Sequence, residues 1–436
     1  MPLMPVNPVE VDSVSAQARA AVIVGGGIGA LAAGISLTNA GWTVSIYEKE
    51  SAIRASGGAL MLWPNATRAL QRLGVLDAVK EKASIITTAE IRHVQGCSFN
   101  KLPVGLFEQK FGTPCLVVQR SHLLRALADQ LAAVGVPDER IHFSKEVVSV
   151  DHHAAVVRFA DGTQAEGNVI IGADGVHSAV RASIINDGQP SSLQQWAFVG
   201  MSKRTDALHH ALQPYVNHAD FAEISARITE RFASVVPSTT VGTVATGLRF
   251  WYATLPGDWV YWYAVVSGKR RREEGIHTRD DLARLMAPWG QPTTALVHTA
   301  AAADVRLVEI HYRKPISSWH RGRVAVLGDA AQPMSPDLGQ GAGMALEQAV
   351  TLGWALEPWG RVDAALGRYS ASCISRTAAV ASASRIVAET SMPDDSRLAS
   401  LRDQIWNATP DSAAILHLEM LIAPGVRAPG ARAPGL

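Results

Sequence analysis

Apolar positions in this chain fall into two kinds of pattern. The first is a short unbroken run closed by glycine. Ala21-Val22-Ile23-Val24 is such a run, and it predicts a strand buried on both faces of a parallel sheet. Gly25-Gly26-Gly27-Ile28-Gly29-Ala30 follows, then an apolar helix to about Ala40 with Gly41 placed to stop it. Thr43 to Tyr47 is the next predicted strand, with Glu48 at its end. The same logic returns at Val169-Ile170-Ile171-Gly172 and at Val324-Ala325-Val326-Leu327-Gly328. The second pattern is aromatic. Arg249 to Ala253 and Trp259 to Val265 predict two strands joined by Leu255-Pro256-Gly257-Asp258, which is turn chemistry. A period of two puts Arg249 and Trp251 on one face of the first strand, and Tyr261 and Tyr263 on one face of the second. Between Asp206 and Thr240, Phe221, Ile224, Ile228 and Phe232 recur near helical spacing, for packing or to cover a pocket.

Composition narrows the function classes. The chain has 436 residues, 47% hydrophobic, with a formal net charge of +1. That suffices for a large core and gives no basic surface for nucleic acid. The one dense basic run, Lys269 to Arg272, meets Glu273-Glu274 at once and reads as a solvated loop or helix end. Cys97, Cys115 and Cys373 are odd in number and far apart, which predicts no disulfide framework and fits a cytoplasmic location. The pairs His152-His153 and His209-His210 lack partners at ligand spacing, so no metal is expected. The N-terminus lacks a basic segment followed by an apolar run and reads as a tail rather than a signal peptide. Glycines divide the apolar stretch 20–47, and no segment reads as membrane-spanning.

The glycine loops carry the chemistry. Gly25 allows a tight turn, Gly27 lets the backbone approach a pyrophosphate at a helix N-terminus, and Ala30 keeps the helix near the strand. Glu48 can accept hydrogen bonds from a ribose diol. Further on, Asp174-Gly175 ends one strand before a polar helix start at Ser178. Gly328-Asp329 ends another and leads through Pro336-Asp337-Leu338-Gly339-Gln340-Gly341-Ala342-Gly343 into an apolar helix. Asp329 suits sugar-like hydroxyls, and the later glycines offer N–H groups that suit a flavin ring gaining negative charge.

Together the three stretches resemble the dinucleotide, DG and GD motifs of the class A flavoprotein monooxygenases, the para-hydroxybenzoate hydroxylase superfamily. The resemblance spans about 20–385. It is strongest to the branch of salicylate hydroxylase, zeaxanthin epoxidase and flavin-dependent urate hydroxylase. Arg54 to Leu60 (which includes Gly58), Trp63-Pro64-Asn65 and Gln119 to Leu124 support it.

That resemblance implies an α/β fold. A Rossmann-like FAD-binding domain of the GR2 type would carry an inserted mixed or antiparallel substrate sheet and C-terminal helices. The implied division is a disordered tail at 1–19, a discontinuous FAD-binding domain at 20–90, 116–195 and 305–395, and a substrate domain at 91–115 and 196–304. A helical region at 396–425 and a disordered tail at 426–436 complete it. Gly25, Gly27, Ile28 and Gly29 would lie on the FAD pyrophosphate and Glu48 with Lys49 on the adenosine ribose. Arg54, Met61 and Arg120, with Gly58 nearby, would hold the ribityl–phosphate region, and Val147 the adenine side. Asp174 and Gly175 would serve FAD and nicotinamide, Asp329 the ribityl chain, and Gly339, Gln340, Gly341, Ala342 and Gly343 the isoalloxazine. Pro336 would sit over the flavin edge. Arg249, Tyr261 and Asp337 fall where flavin-dependent urate hydroxylase keeps its substrate and proton-handling residues.

The implied activity is NAD(P)H- and O2-dependent hydroxylation of a small aromatic or heteroaromatic substrate through a flavin C4a-hydroperoxide. NAD(P)H would dock transiently, since there is no second GxGxxG. Epoxidation of an electron-rich alkene and a non-oxygenating dehydrogenase or oxidase are the alternatives. A monomer or homodimer is the implied assembly. Gln332 departs from the histidine usual after Gly-Asp-Ala-Ala.

Overall fold

The computed structural model describes residues 19–53, 58–205, 208, 212, 236–357 and 360–423. Arg54, nearly all of the 206–235 stretch and residues 1–18 and 424–436 lie outside the described residues. Arg19, assigned from sequence to the tail, is anchored: its guanidinium donates to Leu356 O at 3.1 Å and lies 5.4 Å from the Trp42 ring.

The glycine-closed apolar runs form the centre of a six-stranded sheet. Strand Ala20–Val24 pairs in parallel with Thr43–Tyr47 on one side and Val169–Gly172 on the other, and Val324–Val326 pairs with the latter. Ile141–His142 and His320–Arg321 close the edges, the last antiparallel. Helix Ile28–Asn39 packs on this sheet and against helix Gly341–Leu356, and both helices are apolar almost all round because each is covered on every side. A three-stranded antiparallel flap, Val147–Asp151, Val156–Phe159 and Gln164–Glu166, stands beside it.

A nine-stranded mixed sheet makes the second layer. The predicted hairpin is present as Leu248–Leu255 and Trp259–Ser267, with Trp251 opposite Tyr263 and Ala253 opposite Tyr261. Ser191–Lys203 and Val236–Ala245 flank it, and Val236–Ala245 runs parallel to Ala83–His93. Ala59–Leu62 and Leu116–Gln119 extend the sheet through antiparallel pairing. Sheet membership therefore cuts across the division by role, since strands at 59–62, 83–93 and 116–119 belong to this layer. Helix Gly268–Glu273 holds the basic run, with Arg270 bridged to Glu274 at 2.7 Å.

C-terminal to these layers, helix Val362–Thr390 crosses behind helix Gly341–Leu356, and helices Ser396–Ala408 and Asp411–Ile422 return to the large sheet. No helix among the described residues is long and apolar enough to cross a membrane.

Candidate active site

The dinucleotide loop is built as its residue types require. Gly25 has φ +111°, and a Cβ there would stand 2.4 Å from the Ala173 carbonyl oxygen, so no L side chain fits. Gly27 precedes the helix Ile28–Asn39, carries no capping side chain, and faces open space where a Cβ would meet nothing within 4 Å. The free N–H groups of that helix start thus point into a cavity, as an anion site demands. Glu48 accepts from Gly26 N and, at 2.9 Å, from Glu50 N, which fixes the carboxylate at the loop's edge.

This loop is one end of a cavity of about 1110 Å³. Gly25, Gly27, Ile28, Gly29, Glu48 and Lys49 line that end, with Val147 from the flap and Asp174 and Gly175 from the second glycine motif. Asp174 also accepts from Ser178 Oγ at 2.5 Å and Val180 N at 3.2 Å; burial pushes its carboxyl up, and these bonds offset only part of that rise. The middle is lined by Met61, Arg120, Asp329, Gly339, Gly341 and Ala342. Asp329 lies deep in the protein yet is open to the cavity; burial pushes its carboxyl up, partly offset by Arg120. A carboxylate held there is suited to hydroxyl donors from a bound group. Three predicted contacts stand off the cavity wall. Gln340 is buried and takes a 2.9 Å bond from Asn65 Nδ2, Gly343 packs against Asn65, and Gly58 packs under the Tyr261 ring. They act through their neighbours and shape the wall.

The far end holds the predicted catalytic group. Pro336, Asp337, Arg249 and Tyr261 all line it, joined by Trp251 and Tyr263. Arg249 is 1% exposed and its guanidinium lies 2.6 Å from Asp337 Oδ1. Behind it, Ser391 Oγ accepts at 2.9 Å, while Gln195 Oε1 and Ala388 O each accept at 3.3 Å. Among the described residues, Arg249 Nε and Asp337 Oδ2 are buried with no hydrogen-bond partner. Burial pushes the Asp337 carboxyl up, opposed by Arg249 and Ser335. Burial also raises the Tyr261 and Tyr263 hydroxyls far above their usual range, and Asp337 adds to the effect on Tyr263. Both phenols are neutral hydrogen-bonding groups at physiological pH.

The sequence placed Tyr261 and Tyr263 on one face and singled out Tyr261; it is Tyr263 whose hydroxyl feels the charges of Asp337 and Arg249. Other contributors went unread. Gln195 and Ser391 hold Arg249 from strands and helices far away in sequence, and no local signal marks them. Trp406, Ala414, His417 and Leu418 wall the cavity from the last two helices. Gln332 is now accounted for: it is buried and donates to Arg313 O at 2.6 Å, pinning a strand end outside the cavity.

The donor set fits FAD. Bare N–H groups sit at a helix start for a pyrophosphate, Asp329 faces the middle for ribityl hydroxyls, and Gly339 and Gly341 form the next wall. At about 1110 Å³ the cavity lies at the top of the ~300–1,000 Å³ range of ligand pockets, as a large dinucleotide cofactor requires. Fold and site thus define a flavin-dependent oxidoreductase of two-layer architecture. The chain belongs to the FAD binding domain family, which matches residues 18–384, and it is an FAD-dependent monooxygenase. It is 27% identical over 359 residues to the aurachin C monooxygenase/isomerase of Stigmatella aurantiaca, covering 81% of this chain and 85% of that one. It is 30% identical over 371 residues to the FAD-dependent urate hydroxylase of Mycolicibacterium vanbaalenii, covering 82% and 85%. The crystal structure of Klebsiella pneumoniae HpxO complexed with FAD and uric acid superposes with a TM-score of 0.78 at 25% identity, covering 93% of this chain and 97% of that one.

Proposed function

We propose that this enzyme takes electrons from NADH or NADPH and hydroxylates an aromatic or heteroaromatic ring bound against Arg249 and Asp337. The observation that carries this reading is one cavity running from the Gly25 loop past Asp329 to a buried ion pair under an aromatic sheet face. FAD, when bound, supplies hydride acceptance and activation of O2.

The chain's own residues supply the rest. Trp251 and Tyr263 offer flat walls to a ring. Asp337 takes a phenolic or ring N–H proton, because its free Oδ2 is the only carboxylate oxygen at this end without a partner among the described residues. Arg249 then balances the negative charge left on the ring. The buried phenols remain protonated and orient the ring as hydrogen-bonding groups. The apolar and aromatic lining of this end gives water few partners beside the ring. In this reading the segments 20–90, 116–195 and 305–395 hold FAD, while 91–115 and 196–304 hold substrate. A cytoplasmic monomer or homodimer is proposed, in keeping with Cys97, Cys115 and Cys373 all being unpaired.

The test is a panel of hydroxylated aromatic and purine-like rings scored by NAD(P)H consumption under 18O2. The expected result is one labelled oxygen in a ring-hydroxylated product. Label gained from water would overturn the reading in favour of a dehydrogenase, and oxygen added only across an alkene would favour an epoxidase.

A further inference from the structure

The cavity continues beyond the Arg249–Asp337 pair. Helices Ser396–Ala408 and Asp411–Ile422 close it with Trp406, Ala414 and Leu418, and Ile91 and Leu102 from the large sheet stand in the same wall. This outer lobe is apolar, with Asn100, Thr409 and His417 as its polar members. It is also fixed in place. Asn100 Nδ2 donates to Thr409 O at 3.1 Å and Asp411 Oδ1 at 3.0 Å, Arg68 donates to Ile422 O at 2.7 Å, and Phe99 meets Trp406 edge-on at 5.5 Å. An aromatic ring against Arg249 does not need this space, and an apolar chamber held open gives water few partners.

The outer lobe also has an apolar approach. Leu398, Leu401 and Ile405 follow one another at i, i+3 and i+7, so they share one helix face. They are 56%, 51% and 55% exposed, and Ile405 is itself part of the cavity wall. A strip of aliphatic surface therefore leads from solvent into the lobe.

We propose that the natural ring substrate carries a hydrocarbon arm, alkyl or isoprenoid, which occupies the outer lobe and leaves along the Leu398–Leu401–Ile405 face. The inference rests on the ring-hydroxylation reading for the placement of the ring. The arm selects the substrate by burial, and the ion pair orients its polar head.

The test is calorimetric titration of the full-length FAD-loaded enzyme with phenol, 4-propylphenol and 4-hexylphenol, and with hexan-1-ol as a ringless probe. Burial of about 0.8 kcal/mol per methylene predicts that Kd falls roughly fourfold for each one added. The same series is run on Ala414→Trp, whose indole fills the lobe, and on Leu418→Gln; both are expected to flatten the dependence on chain length. A Kd independent of chain length in the unaltered enzyme overturns the proposal, as does an undiminished dependence in both variants. If hexan-1-ol binds as tightly as 4-hexylphenol and phenol does not bind, the ring reading fails while the hydrocarbon lobe stands. Absence of binding by every probe overturns both.

Discussion

Arg249 and Asp337 show what a residue's type can say before its surroundings are known. Strand period put Arg249 on a pocket face and the family resemblance pointed to both residues, yet only the three-dimensional arrangement makes them a pair. Each retains one buried polar atom with no hydrogen-bond partner among the described residues. Leaving such an atom unmade costs about 1–3 kcal/mol, so the pair is under pressure to accept a ligand. The sign of the pH dependence follows from Asp337. Its carboxyl is raised by burial and lowered again by Arg249 and Ser335, with the net direction upward. The proton acceptor is the ionised form, so kcat/KM for a phenolic substrate should rise with pH through a midpoint above the ordinary ~3.9 of aspartate. Asp337→Asn should remove that limb and lower kcat by about 10²–10⁴-fold, while FAD content stays at wild-type level; pH-rate profiles and flavin absorbance check both. Gln332 is the contrasting case. Its bond to Arg313 O lies outside the cavity, so Gln332→Ala should cost about 1–3 kcal/mol in urea unfolding and leave the pH profile unmoved.

At the scale of elements, the strand–glycine–helix units were readable because every cue is local. An apolar run, a glycine forced by its turn and a terminal acid lie within 28 residues, from Ala21 to Glu48. Gly25 illustrates how strict that grammar is. With φ +111° and the Ala173 carbonyl in the way, Gly25→Ala must shift the loop that presents the helix N–H groups. The expected outcome is protein that purifies largely colourless and does not recover its visible flavin bands on incubation with FAD. Other elements were hidden for physical reasons. The pairing of Val236–Ala245 with Ala83–His93 joins segments about 150 residues apart, and no local pattern encodes it. Helix Asp411–Ile422 is apolar on nearly every face and only Ile422 is fully buried, so its periodicity gave no sign that it would wall a cavity. Arg249's supports, Gln195 and Ser391, are ordinary polar residues whose role exists only once the long helix Val362–Thr390 has been packed.

For the whole molecule, one cavity borrows its wall from both layers, so the cofactor should act as a structural strut. The Gly25 loop belongs to the six-stranded sheet, whereas Met61 and Tyr261 belong to the large one. A ligand that touches both layers stabilises their union by RT ln(1 + [L]/Kd), about 4 kcal/mol at a thousandfold excess over Kd. Stripping FAD should therefore lower Tm, and adding it back should raise Tm in a concentration-dependent manner, measured by calorimetry. Asp329 gives this coupling a pH signature. Burial raises its carboxyl, and the ionised form is the better acceptor for ribityl hydroxyls. As pH falls through that raised value the carboxylate is neutralised, so FAD affinity should weaken at a pH above the usual aspartate range. Asp329→Asn should bind FAD more weakly at neutral pH and lose the acid-dependent step, because an amide has no proton to gain there. An Asp329→Asn enzyme that kept both the affinity and the step would move the ribityl contact to another residue, and with it the axis along which the two layers are joined.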